Sequence, residues 1–420
     1  MFRRVSGSLP PDFEFPETLE GLGYFINDKD QIKQIADPSE DFDYFVSKND
    51  RYNERHREAM NTCIRRVLSE RLEALNLKTV RLPRGTSPTA PHIPILASHC
   101  AISDAERIII IFNEAGQDLG VWAYRDIGDS KRGNLSFGTA INLVEEIASR
   151  HASRRSACQR RTPPYLIIAN PGQLVWHRAG KKAMTMPTWF ALQRQSAVHD
   201  AMRLDEVFNS VEGHRTCKEH VASVFAMIEK LFAEENIEVQ VIGISDGATA
   251  AVNYLNANWE YWNSRITALA LCCPTHTHLD LTNDSFAGFM QARGRAYLLS
   301  DLPAGMPIYG TEETELSDSV HGHYREYSDE VHGGSGIYGC NSYSGGEEQY
   351  TESVLPRCYH DILDYFDEVF SDPTFVNPEI MVFDGKDDEE DVEWEAVMQE
   401  EGKSEVAEER KFVEVDEGID

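Results

Sequence analysis

Val239-Gln-Val-Ile-Gly243-Ile-Ser245-Asp246-Gly247-Ala-Thr-Ala-Ala251 is the stretch on which the fold turns. Its first half, Glu238–Ile244, is an apolar run of strand length. The alanine-rich residues from Ala248 to Leu255 read as a helix. Between them stands G-x-S-x-G, formed by Gly243, Ser245 and Gly247. A serine at that place sits on a sharp turn, and small residues two before and two after it let strand and helix approach closely. The hydroxyl then stands above the carboxyl end of a sheet. The N–H of Asp246 points into the same space, beside a helix N-terminus that favours developing negative charge. The pattern of two glycines and a serine is weak by itself; the strand before it and the helix after it give it weight. We therefore expect a nucleophile elbow made of Gly243, Ser245, Asp246 and Gly247.

Outward from the elbow, strand-like and helix-like segments alternate. Arg107–Phe112, Tyr165–Asn170 and Arg265–Cys273 are near-continuous apolar runs, while Ala140–Arg150, Cys217–Glu235 and Pro356–Phe370 read as amphipathic helices. Apolar strands alternating with helices imply a mostly parallel sheet covered on both faces. The expected fold class is α/β: an α/β-hydrolase-like three-layer sandwich with an N-terminal helical extension and a disordered acidic C-terminal tail. In residues 52–76, Met60, Ile64, Val67, Leu68, Leu72 and Leu75 recur at helical spacing, predicting a helix packed on the domain edge.

Three stretches break the alternation. Residues 1–38 carry Pro10, Pro11 and Pro16 and read as an extended arm, with Phe13, Phe15, Leu19, Leu22 and Phe25 available to dock. Residues 302–348 are rich in Gly, Ser, His, Glu and Tyr and read as a long loop. Past Asp384 the chain is almost wholly acidic and is expected to be disordered; the other reading is a docking segment built on Trp394, Val397 and Met398. The expected division is 1–38 arm, 39–372 domain, 373–420 tail.

The 420 residues carry a formal charge of −30 and a hydrophobic share of 41%, slightly low for a fully packed chain. Such acidity gives no general attraction to phosphate backbones or anionic membranes, so direct nucleic-acid or membrane binding is not expected. The eight cysteines are scattered without a C-x-x-C pair, and no apolar leader segment follows Met1. This predicts reduced thiols and a nuclear or cytoplasmic protein that is not secreted. Arg150, Arg154, Arg155, Arg160 and Arg161 cluster between a helix and a strand; a solvated loop is the ordinary reading, an anion site the alternative.

Catalysis at Ser245 would need a histidine base and an orienting acid, following the serine in chain order. The stretch before the final helix, Ser344-Gly-Gly-Glu-Glu-Gln-Tyr350-Thr-Glu-Ser-Val354, holds no histidine. His360 falls inside the predicted final helix. His321, His323 and His332 fall in the long loop. His276, after the fourth strand, is the candidate base if the chain is a hydrolase. With His278 it forms an H-x-H pair that reads as a polar loop or, without a third ligand, as a weak zinc signal. No metal and no cofactor is called for. At the oxyanion-loop position stand Asn113 and Glu114. Glu114 and Asp246 would bring negative charge to where an oxyanion develops, which raises the barrier.

The segments NDRYNERHREAM from Asn49, RIIIIFNEAGQDLGVWAYR from Arg107, YLIIANPGQLVW from Tyr165, VIGISDGATAAVNYL from Val241 and SYSGGEEQYTESVLPRCYHDILDYF from Ser342 resemble, in order and spacing, the fungal Argonaute-binding (Arb-type) domain family. The similarity spans roughly residues 40–372. The same domain resembles the C-terminal region of fungal class II histone deacetylases and, more distantly, an animal family of hydrolase-like splicing and silencing cofactors. The resemblance implies an α/β-hydrolase fold used as a non-catalytic interaction module, a pseudoenzyme of heterochromatin gene silencing in the nucleus. It implies Argonaute proteins acting with siRNA, or a histone deacetylase catalytic domain in trans, as partners. Animal relatives keep His-Gly after the first strand and a His near the final helix, where this chain has Asn113-Glu114 and Tyr350. The expectation is thus a protein-interaction module; the alternative is a serine hydrolase for a carboxyl ester or thioester with Ser245 as nucleophile.

Overall fold

Central strands that are aliphatic on both faces must be covered on both faces. In a computed structural model, which describes residues 9–100, 105, 107–155, 163–231, 237–308 and 336–380, that covering is complete. The main sheet has eight strands: β1 (Leu77–Leu82), β2 (Ile93–Ser98), β3 (Arg107–Phe112), β4 (Tyr165–Ile168), β5 (Glu238–Ile244), β6 (Ile266–Cys272), β7 (Gly294–Leu298) and β8 (Asn341–Ser344). Their spatial order is β1-β2-β4-β3-β5-β6-β7-β8. Only β2 runs against its neighbours; the others are parallel to one another. Register is tight at the centre, with Phe112 opposite Gly243 and Ile244 opposite Cys272.

Alternate residues of each strand serve the two layers. Ile109, Ile111, Ile168, Ile242 and Ala270 pack on helices α1 (Asp50–Ala74), α2 (Ala140–Arg155) and α6 (Val354–Ser371). Ile108, Ile110, Ile167, Val241 and Leu271 pack on α3 (Cys217–Leu231), α4 (Asp246–Trp262) and α5 (Asp284–Arg293). The chain is an α/β-hydrolase-like three-layer sandwich. Two polar side chains that enter this core are paired: Gln240 donates to the Phe366 carbonyl (2.8 Å), and Arg107 meets Asp367 (2.6 Å), tying β5 and β3 to α6.

The arm is not simply extended. Thr18 caps a one-turn helix, Leu19–Leu22, that ends at Gly23 with φ +88°, and Tyr24–Ile26 pairs with Ile32–Gln34 as a hairpin. The prolines act just outside these elements, where they cost nothing. Phe13 and Phe15 pack edge-on against Tyr52 of α1 at 5.2 and 4.9 Å, and Leu19 and Leu22 pack on the core. The stretch expected as a loop at 302–348 holds β8 among its described residues. The tail beyond residue 380, Arg160, Arg161, the side chains of Arg154 and Arg155, and His321, His323 and His332 lie outside the described residues.

Candidate functional site

β5 ends at Ile244 and α4 begins at Asp246, so one residue makes the whole turn. Ser245 does so at φ +49°, ψ −117°, a left-handed conformation strained for any residue with a Cβ. Its N–H is held by the Cys272 carbonyl (2.8 Å) and its carbonyl by the Thr249 N–H (3.1 Å). The neighbouring glycines are sterically required. A Cβ on Gly243 would strike the Ala248 backbone, and one on Gly247 would strike the carbonyls of Phe112 and Asn113. The hydroxyl of Ser245 is half-buried and caps nothing; among the described residues it has no hydrogen-bond partner.

Among the described residues no imidazole is hydrogen-bonded to the Ser245 hydroxyl. The N–H of Glu114, at the expected oxyanion-loop position, is taken by the Asn113 side chain (2.8 Å), whose amide is fixed in turn on the Val121 carbonyl (2.8 Å). Burial lifts the Glu114 carboxyl above its usual range, and the charges of Glu352 and Asp246 lift it further, against a hydrogen bond from Gln117. One of its oxygens is enclosed without a partner. Two neighbouring carboxylates thus act on Glu114, and negative charge near the elbow works against stabilising an oxyanion.

Tyr350 lies between two cations, 3.8 Å from its ring centroid to Arg125 and 4.7 Å to Arg132. Arg132 also meets Asp126 (3.0 Å) and Glu347 (2.8 Å), and Arg357 meets Glu347 (2.9 Å). This ionic lattice fills the turn before α6, where a base would be carried. His276 is 2% exposed, and its Nε2 donates to the Tyr338 carbonyl (3.2 Å). Its Nδ1 is enclosed and unpartnered. Burial lowers its pKa, so the ring is neutral near pH 7. Among the described residues it makes no hydrogen bond to Ser245. His278 lies on the Ile337 carbonyl (3.3 Å), and His360 is exposed beside Tyr359 on α6. Among the described residues no three His, Cys, Asp or Glu side chains gather as a metal site. Arg150 is held by Glu146 (2.7 Å), Asp364 (2.5 Å) and Asp367 (3.3 Å).

Two buried groups beside the elbow escaped the sequence reading. Asp118, in the turn after β3, accepts from Arg65 (2.7 Å), Tyr124 (2.6 Å) and Gln173 (2.6 Å). Gln173 leads through Asn170 to His220, whose Nε2 accepts the Asn170 N–H (2.9 Å). The Nδ1 of His220 therefore carries the proton and donates to His214 Nδ1 at 2.8 Å. No spacing rule signals partners that are 50 or more residues apart in sequence. The Cys217 thiol rests on the Asp246 carbonyl (3.7 Å), and burial with the Asp246 charge pushes it up to about 12, so it is protonated and unreactive.

Comparison with known proteins fixes the lineage. The Arb2 domain family matches residues 15–304, more than half of the chain. The chain belongs to the Arb2 domain family. Relatives of the Arb2 domain here include the "Cotranscriptional regulator ARB2A" of Mus musculus, 32% identical over 139 residues, and that of Homo sapiens, 31% identical over 139 residues. Each match covers 32% of this chain and 32% of the relative, so the match spans about a third of the length of the curated relatives. Among solved structures, an arylesterase covers 57% of this chain and 72% of its own at 9% identity and a TM-score of 0.23. An esterase from the archaeon Pyrobaculum calidifontis covers 62% and 75% at 10% identity and a TM-score of 0.24. The Arb2 fold described above rests on strand order and elbow geometry, not on these superpositions. No described helix is long and apolar enough to cross a membrane.

Proposed function

We propose that this Arb2 chain is a non-catalytic protein-interaction module that works in the nucleus as part of gene regulation. The observation that carries the reading is the Glu114 N–H, which is spent on Asn113 while the charges of Glu352 and Asp246 crowd the Glu114 carboxyl. Tyr350 among arginines, where a base would stand, and relatives named cotranscriptional regulators support it. In its finer form the partners are Argonaute proteins or other silencing-complex components, or a histone deacetylase catalytic domain in trans, acting in small-RNA-directed heterochromatin silencing. Affinity purification of the tagged full chain from nuclei, read by mass spectrometry, tests this. Recovery of chromatin or silencing components is expected; a clean preparation with none of them contradicts it.

The retained strain at Ser245 favours a second reading, a serine hydrolase acting on a carboxyl ester or thioester, with Ser245 as nucleophile and His276 as base. Turnover of p-nitrophenyl esters and acyl thioesters that vanishes in Ser245→Ala would establish it. Equal background rates for both proteins would remove it.

A further inference from the structure

Between β4 and α3 the chain builds two small apolar clusters, one of Val175, Met184 and Trp189 and one in which Trp176 and Val211 pack on Ile93 of β2. Six of the fifteen exposed large apolar side chains among the described residues fall between 186 and 208, so the exposure is concentrated here. Val207 is 76% and Phe208 60% exposed. They are not on a slack loop. Asp205 accepts both of their N–H groups (3.0 and 2.9 Å), and Asn209 bonds back to Asp205. Asn209 is clamped to Trp176 through two further bonds (2.8 and 2.9 Å). Two apolar side chains are thus presented to solvent by a locked turn, and such preorganisation lowers the entropic cost of binding.

A cluster of cations stands beside them, next to the turn's own Asp205 and Glu206 carboxylates. The hairpin Val175–His177/Lys182–Met184 carries Arg178, Lys181 and Lys182 at its exposed tip, and Arg178 lies 5.1 Å from the Phe208 ring. Among the described residues none of these three cations, nor the exposed Arg203, has a carboxylate within ion-pair distance. Asp205, on which Arg203 and Arg178 act at longer range, is already spent on the turn, which leaves Glu206 as its one uncommitted carboxylate against the four cations. Unpaired cations beside exposed apolar anchors, on a chain of charge −30, favour an acidic partner segment at this one place.

We infer that the Val207–Phe208 turn and the Arg178–Lys182 hairpin tip form a docking surface for an acidic segment of a partner protein that carries aliphatic or aromatic anchors. This rests on the interaction-module reading and names the chemistry of the partner. Phe208 and Val207 take the anchors, and the three hairpin cations take the carboxylates.

The test is fluorescence anisotropy of the full chain with a fluorescein-labelled peptide of alternating Asp and Glu bearing Leu and Trp four residues apart. Two control peptides replace the acids by Lys or the anchors by Ala. Binding near ~10 µM is expected, with both controls and both variants, Val207→Ser/Phe208→Ser and Lys181→Glu/Lys182→Glu, weaker by about tenfold or more. All four positions are exposed, so melting temperatures should match the parent. Absence of probe binding, or equal binding by variants or controls, overturns the inference. Nuclear affinity purification with Val207→Ser/Phe208→Ser separates the two readings. If the variant retains the partners of the parent chain, the surface is wrong and the module stands. If the parent itself recovers none, the module reading has failed first.

Discussion

Ser245 keeps φ +49°, ψ −117°, a conformation that costs a residue with a side chain on the order of 1–3 kcal/mol. Strain of this size persists only when the surroundings impose it, and the Gly243 and Gly247 contacts do so. Ser245→Gly should therefore raise the unfolding free energy by about 1 kcal/mol, read by urea denaturation; a loss of stability would show the turn is not strained. The His214–His220 pair gives a second check. Burial holds His214 down to about 4 and His220 well below its usual range. The unfolded chain takes up these protons near pH 6.5 and the folded chain does not, so stability is full above 6.5 and falls as pH drops toward 4. The slope is up to ~1.4 kcal/mol per pH unit for each such histidine. His214→Gln should make the curve shallower in that window by about one proton; an unchanged slope would refute the assignment. At this scale the elbow was legible because sterics tie it to a short local pattern. The Asn113–Glu114 hydrogen bond was not, because side-chain orientation leaves no mark on spacing.

Elements became legible in proportion to how apolar they are. β3, β4, β5 and β6 are buried on both faces and read as near-continuous apolar runs. β1 carries Lys78 and Arg81 at the sheet edge, and β2 contains Pro94, so neither looks like a core strand. β8 is Asn-Ser-Tyr-Ser, with polar side chains satisfied on the carbonyls of Pro378 and Leu302, partners no local window contains. The arm is held likewise by a remote clamp. Arg51 of α1 grips Asp12 at 2.6 Å, while its other donors reach Glu54 and the carbonyls of Phe190 and Leu192. Burial alone would raise the Asp12 carboxyl; the Arg51 hydrogen bond, the Arg194 N–H and the Arg51 charge outweigh it and bring it down to about 2. The clamp's contribution is therefore present above pH 3.8 and lost as pH falls toward 2. Asp12→Ala should cost about 2 kcal/mol by removing charge-assisted bonds from an arginine that keeps Glu54 and two carbonyls, and should speed hydrogen exchange across residues 9–26. A change of less than about 0.5 kcal/mol would mean the pair behaves as a surface ion pair.

The whole molecule has a hydrolase-like scaffold with a strained elbow turn, and on the proposed reading that scaffold serves binding rather than turnover. Scaffold and chemistry separate because they rest on different physics. The sheet, the helices and the elbow follow from burial and sterics over the full length of the domain. Catalysis would depend on a few N–H groups and the charge around them; here the Glu114 N–H is bonded to Asn113, the Glu114 carboxyl is crowded by two other acids, and Tyr350 lies against two arginines. The most direct test is a fluorophosphonate probe at saturating concentration on the purified full chain, followed by mass spectrometry of the peptide that contains Ser245. The account predicts an unmodified Ser245 peptide. A stoichiometric phosphonyl adduct on Ser245, absent from Ser245→Ala, would contradict it.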